Sequence, residues 1–196
     1  MPAKPVLSES DKKIIKEKLI ALGEESWTSI GYKKTSIKEL CTTVGISIGT
    51  FYGIFPSKEL FFLEVYNTMI PRTREVVFEK AEVTLGISGF TKSLITMIKE
   101  YEKLPFFNES EEIKTILAKI PADILSAMEF ESFEMFNRLA DIHRLTVKID
   151  ERDAINVVSM LLSMAMGRKQ MIITDEAFYR NFELIANRVL PGIFEV

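Results

Sequence analysis

The sequence predicts an all-α protein, on three observations. Apolar residues recur at spacings of three and four along most of the chain, no stretch alternates for long in the period of two that strands require, and glycine is sparse. With 47% hydrophobic residues over 196 positions, the chain buries a substantial core without disulfides or metals. About nine helices are expected, with short connections that favour antiparallel neighbours.

The first helix starts after Ser8 or Ser10, either of which can cap it, with Asp11 in the first turn. Its apolar stripe is Ile15, Leu19, Leu22 and Ile30, widened by Ile20 and Trp27, and Gly31 closes it. Thr35 or Ser36 caps a short second helix that ends at Val44 and Gly45, with Ile37, Leu40, Cys41 and Val44 facing inward. Ser47 caps a third helix reaching about Phe55, and Pro56-Ser57 breaks the chain. A long fourth helix runs from Lys58 to about Lys80 and bends near Pro71. Further helices are expected over 88–103, 110–120, 122–145, 151–173 and 175–190, separated by "LPFFN", "IPAD", "KIDERD" and "ITDE".

Composition narrows the function. The one cysteine, Cys41, excludes an internal disulfide and a cysteine zinc cluster, and fits a reducing, cytoplasmic setting. Its place on the inner helical face makes it a small buried hydrophobe. The N-terminus has no apolar stretch after its first lysine and does not read as a signal peptide. The longest uncharged apolar run, Ala154 to Gly167, is 14 residues long and short of the roughly 20 that span a bilayer. Net charge is −3, yet through Leu60 nine lysines stand against seven acids. That asymmetry permits a nucleic-acid surface near the N-terminus.

The stretch "TSIKELCTTVGISIGTFYGIFPSKELF" carries the chemistry. Helix, glycine-containing turn, helix is the spacing of a helix-turn-helix, here about 35–54. Leu40, Val44, Ile46, Phe51 and Phe55 lock together two helices too short to persist alone. The outer face of the third helix is then Ser47, Ile48, Thr50 and Tyr52, beside Gly49. In a major groove, hydroxyls reach phosphates or base edges, Ile48 touches a thymine methyl, and Gly49 permits close approach. Helix N-termini and Lys58 suit phosphate oxygens.

Residues from about Ile14 to Leu63 resemble the DNA-binding domain of TetR-family transcriptional regulators. The residues that carry the resemblance are Gly31-Tyr32, Thr35-Ser36, Leu40-Cys41, Gly45-Ile46-Ser47, Gly49-Thr50-Phe51-Tyr52 and Phe55-Pro56-Ser57-Lys58-Glu59, with Trp27 near the end of the first helix. Gly53 and Ile54 depart from the aromatic, basic or histidine residues common there, and Ile48 from a polar or basic one. The resemblance implies a homodimer, each subunit with a three-helix DNA-binding head (8–63) and a C-terminal body (64–196) that dimerises and holds an effector. Carried over by position, Thr35 and Lys58 hold phosphates, Tyr52 contacts backbone or base, and Ser47, Ile48 and Thr50 face the groove of a pseudo-palindromic operator, with Ser36 and Gly49 also counted among the DNA-binding residues.

In the body, Met97, Tyr101, Phe107, Met128, Phe130, Phe133, Met160 and Met164 are candidates to line an apolar cavity, although core packing explains each equally well. Ile155, Val158 and Leu162 on one helix and Phe178, Phe182, Ile185 and Val189 on the next form the expected dimer surface. His143, the one histidine, is expected at the surface or a pocket edge, and it leaves no His-rich metal site. No cofactor is called for. The expected function is a dimeric transcriptional repressor released from DNA by a small apolar or amphipathic effector. Its rivals are a constitutive DNA-binding dimer without a pocket and an all-helical enzyme, the latter lacking any catalytic constellation.

Overall fold

Local chemistry sets the helix ends. The computed structural model describes residues 8–81, 84–105, 116, 118–168 and 171–195. Helix α1 (Glu9–Ile30) begins at Ser8, whose hydroxyl accepts from the Asp11 N–H while the Asp11 carboxylate accepts from the Ser8 N–H. This reciprocal pair satisfies donors that the first turn leaves open. Helices α2 (Ile37–Val44) and α3 (Ile48–Ile54) are capped by Ser36 and Ser47. Then come α4 (Lys58–Glu79), with Pro71 inside it, α5 (Gly86–Tyr101) and α6 (Ala122–Ile142). Helices α7 (Glu151–Met166) and α8 (Asp175–Val189) complete the set.

The described residues thus hold eight helices. Most of the helix expected over 110–120 lies outside them. The helix expected to run to 173 stops at Met166, before Gly167. Helical patterning also gave no sign of strands β1 (Thr146–Val147) and β2 (Phe194–Glu195), which pair antiparallel, Val147 opposite Phe194. Among the described residues no helix is long and apolar enough to cross a membrane.

The chain divides into two compact units, Met1–Ile70 with Glu111–Ile120, and Pro71–Ser110 with Pro121–Val196. In the first, α1 turns Leu19, Gly23 and Trp27 inward. A Cβ on Gly23 would stand 2.5 Å from the Phe61 ring, so α1 approaches α4 as only glycine allows. Trp27 meets Phe62 edge-on at 4.8 Å, and Phe61 meets both Phe51 and Phe55 at 4.9–5.2 Å. Ile30, expected on the buried stripe, is exposed.

The second unit has its own core, built from Phe90 and Leu94 of α5, Leu139 of α6, Val158 of α7 and Phe182 of α8. Phe194 of β2 stacks on Phe136 with centroids 5.6 Å apart and meets Phe90 edge-on at 4.9 Å, so β2 contributes to this core. His143 is not at the surface or a pocket edge as expected. It is wholly buried, with Nδ1 2.8 Å from the Thr84 carbonyl and Nε2 2.7 Å from the Ser93 hydroxyl. A carbonyl only accepts, so Nδ1 donates to it. The helix end that carries His143 is sealed by α5, a long-range contact that leaves no trace in local sequence.

Candidate nucleic-acid interface

The elbow between α2 and α3 follows from two residues. Gly45 adopts φ 80° and ψ 32°, the left-handed conformation glycine reaches without strain. Its N–H and that of Ile46 both donate to the Cys41 carbonyl at 2.9 Å, closing the helix end. Two residues later the Ser47 hydroxyl accepts from the Thr50 N–H at 3.0 Å and starts α3. Leu40, Cys41, Phe51 and Phe55 are buried beneath the elbow. Burial pushes the Cys41 thiol pKa up, which suits an inert packing residue.

With those residues inside, α3 presents Ile48, Gly49, Tyr52 and Gly53 to solvent. Ile48 is 44% exposed and Tyr52 46%. A Cβ built on Gly53 meets nothing within 4 Å, and one on Gly49 meets only the Ser47 hydroxyl at 3.7 Å. Packing within the chain therefore does not account for either glycine. No carboxylate occurs between Glu39 and Glu59, while Lys33, Lys34 and Lys38 are exposed on the same unit. These three lysines were not among the expected contact residues, although the excess of lysine in this part of the sequence pointed to them.

The polar residues behave differently from expectation. Ser47 Oγ and Thr50 Oγ1 lie 2.9 Å apart and bond to each other. Ser36 is taken up as the cap of α2, accepting from the Glu39 N–H at 3.3 Å. Thr35 is only 3% exposed and donates its hydroxyl to the Gly31 carbonyl at 2.8 Å. Lys58 donates to the carbonyls of Tyr32 (2.9 Å) and Thr35 (2.8 Å), with its ammonium 4.5 Å from the Tyr32 ring centroid. Thr35 and Lys58 thus turn inward and pin the connection between α1 and α2. The reason is local: the tight turn at 31–35 points carbonyls at the start of α4, and the nearest cation answers them.

In the second unit four of the residues expected to line a cavity pack on the core. Met97 is buried in that core, Tyr101, Phe133 and Met164 are packed half-buried against it, and Met160 is 70% exposed. Phe107 lies outside the described residues, as do the side chains of Met128 and Phe130. A groove of about 590 Å³ lies instead between α6 and the end of α4, lined by Arg74, Glu75, Phe78, Glu134, Arg138 and Asp141 among others. Arg138 bonds Glu75 at 2.9 Å and stacks 3.8 Å from the Phe78 ring.

The expected dimer surface also changes. Ile155, Val158, Phe178 and Phe182 are buried in the chain's own core, with Leu162 and Ile185 packed against it. Of those seven residues only Val189 is exposed. The outward positions are Ser159, Met160 and Ser163 on α7 and Asn181, Leu184 and Arg188 on α8. The stripe with the stronger periodicity was claimed by the subunit itself, because bulky aromatics gain most from complete burial.

Residues 19–65 match the family profile described as bacterial regulatory proteins, tetR family. The chain is 26% identical over 121 residues to the uncharacterized HTH-type transcriptional regulator YhgD of Bacillus subtilis, a match spanning 57% of this chain and 63% of that protein. Its fold is similar to crystal structures of TetR-family regulators. One is from Pectobacterium atrosepticum (TM-score 0.70, 14% identity, 97% of this chain and 99% of that one). Another, from Mesorhizobium loti, has a TM-score of 0.59 at 17% identity, covering 96% of this chain and all of that one. Salmonella enterica GusR is similar at TM-score 0.55 and 16% identity, over 94% of this chain and 98% of its own.

Proposed function

The chain belongs to the TetR family of transcriptional regulators, and from that premise we propose that it is a homodimeric repressor that leaves its operator when a small molecule binds. One observation carries the DNA reading: α3 stands outward on a capped, glycine-closed elbow, exposing Ile48 and Tyr52 in a stretch free of carboxylates. Residues 8–63 are the DNA-binding domain and 64–196 the effector-binding and dimerising one. Base contacts fall to α3, and phosphates to the exposed Lys33, Lys34 and Lys38 and to helix N-termini.

Dimerisation goes through the outward faces of α7 and α8, where Ser159 and Ser163 flank Met160 and permit close helix approach. Two-fold symmetry then spaces the two copies of α3 about 34–36 Å apart, one turn of duplex. The groove lined by Pro71, Met135, Arg74 and Arg138 suits an amphipathic effector, with an apolar body beside Pro71 and Met135 and polar groups on the charged rim. Binding there shifts the population away from the DNA-competent spacing. The packing of Met97, Tyr101, Phe133 and Met164 against the second unit's own core supports one variant of this reading, a dimer that holds DNA without an effector.

Footprinting on the chain's own upstream region, with and without candidate ligands, tests both. The expected result is a protected pseudo-palindrome that a ligand clears. No protection at low salt would sink the DNA reading, and protection that no amphipathic ligand relieves would favour the constitutive variant.

A further inference from the structure

Helix α3 has no side chain able to make the bidentate contacts that read guanine or adenine. Its residues, Ile-Gly-Thr-Phe-Tyr-Gly-Ile, include no Arg, Lys, Asn or Gln, and no carboxylate to accept from cytosine. Ser47 and Thr50 share one hydrogen bond between their hydroxyls and Ser47 also caps the helix, so a single hydroxyl proton of the pair is left to donate. On α2, Thr42 and Thr43 direct their hydroxyl protons to the Lys38 and Glu39 carbonyls at 2.9 and 3.0 Å, which leaves those hydroxyls as acceptors only. Phe51 is buried. The exposed apolar group of this helix is the branched alkyl group of Ile48, 44% exposed, and the phenol of Tyr52 is 46% exposed.

In the major groove one base feature matches an alkyl group and carries sequence information, the C5-methyl of thymine. We propose that Ile48 is a specificity-determining residue that reads a thymine in each operator half-site through that methyl group. This rests on the DNA-binding reading above and deepens it. Recognition at that base pair then depends on the methyl rather than on the hydrogen-bonding edge. Exposed lysines nearby and the absence of acids from Leu40 to Lys58 let the backbone come close enough for such a contact.

The test uses the full chain and a random-sequence duplex library. The enriched duplex is resynthesised with deoxyuridine replacing each thymine in turn, and affinity is read by fluorescence anisotropy at fixed salt. Uracil keeps every hydrogen-bonding group and lacks only the methyl. The expected result is one thymine per half-site at which uracil weakens binding about fourfold, the worth of one buried methyl. In Ile48→Ala the thymine and uracil duplexes bind alike at that position, and in Ile48→Val the discrimination persists. Thermal melting without DNA confirms that both variants fold, since the side chain is at the surface. A site indifferent to uracil at every thymine overturns the proposal, as does a uracil penalty unchanged in Ile48→Ala. A library from which no sequence is enriched overturns the DNA-binding reading itself.

Discussion

Helix α3 and the pair α7–α8 both place apolar side chains in water, and the surroundings of each say what they await. Ile48 and Tyr52 stand on a helix of seven residues, with lysines nearby and no acid from Leu40 to Lys58. Met160 and Leu184 stand on helices of 16 and 15 residues that carry both signs of charge. An apolar tip in a carboxylate-free setting suits a polyanion that bears methyl groups. The longer faces, 70% and 59% exposed at their apolar centres, suit a second protein surface that buries them. Exposure alone does not separate the two; the charge around it does.

The largest test breaks the second face. Met160→Glu with Leu184→Glu places like charges where two subunits are proposed to meet. Sedimentation should report the mass of one chain, and operator affinity should fall by at least about a hundredfold as the two-site gain is lost. A dimer that survives both substitutions moves the interface elsewhere.

Lys58→Met sharpens the account of the head. Removing a cation that bonds two carbonyls should lower stability by about 2 kcal/mol, read by thermal melting at fixed protein concentration. The slope of log affinity against log salt should stay as it was. Were Lys58 instead neutralising a phosphate in each subunit of the dimer, the slope would fall by about 1.8 with melting unchanged.

Ser47→Ala removes the cap of α3 and should cost about 1 kcal/mol of stability. Base preference in a library selection should not change if Ile48 reads the thymine, because the Ser47 hydroxyl serves chiefly as the cap of α3. The smallest effect is expected at Gly53, where a Cβ meets nothing. Gly53→Ala should raise stability by up to about 1 kcal/mol and weaken operator binding. A gain in both would mean that DNA does not approach that backbone.

The head was largely legible because its instructions are local. Ser36, Gly45 and Ser47 set helix ends through bonds that reach three or four residues, and all three occupy the caps their sequence positions imply. Thr35 and Lys58 were not legible in the same way. Their partners are the Gly31 carbonyl and the carbonyls of Tyr32 and Thr35, and the longer of these bonds join residues 23 and 26 positions apart. In the second unit the helices were legible from their periodicity. Which stripe of α7 and α8 faces the core was not, since both faces of α7 carry apolar residues.

The sequence by itself determined an all-helical chain, the position of its helix-turn-helix and the outward turn of Ile48 and Tyr52, because helical periodicity and capping act over a few residues. Tertiary structure alone decided that His143 is sealed against Ser93 and Thr84, that Phe194 closes the second core, and that Phe178 and Phe182 serve their own subunit. Burial goes to the side chains that fit the space left by distant segments, and the shape of that space is not written in any one stretch of chain.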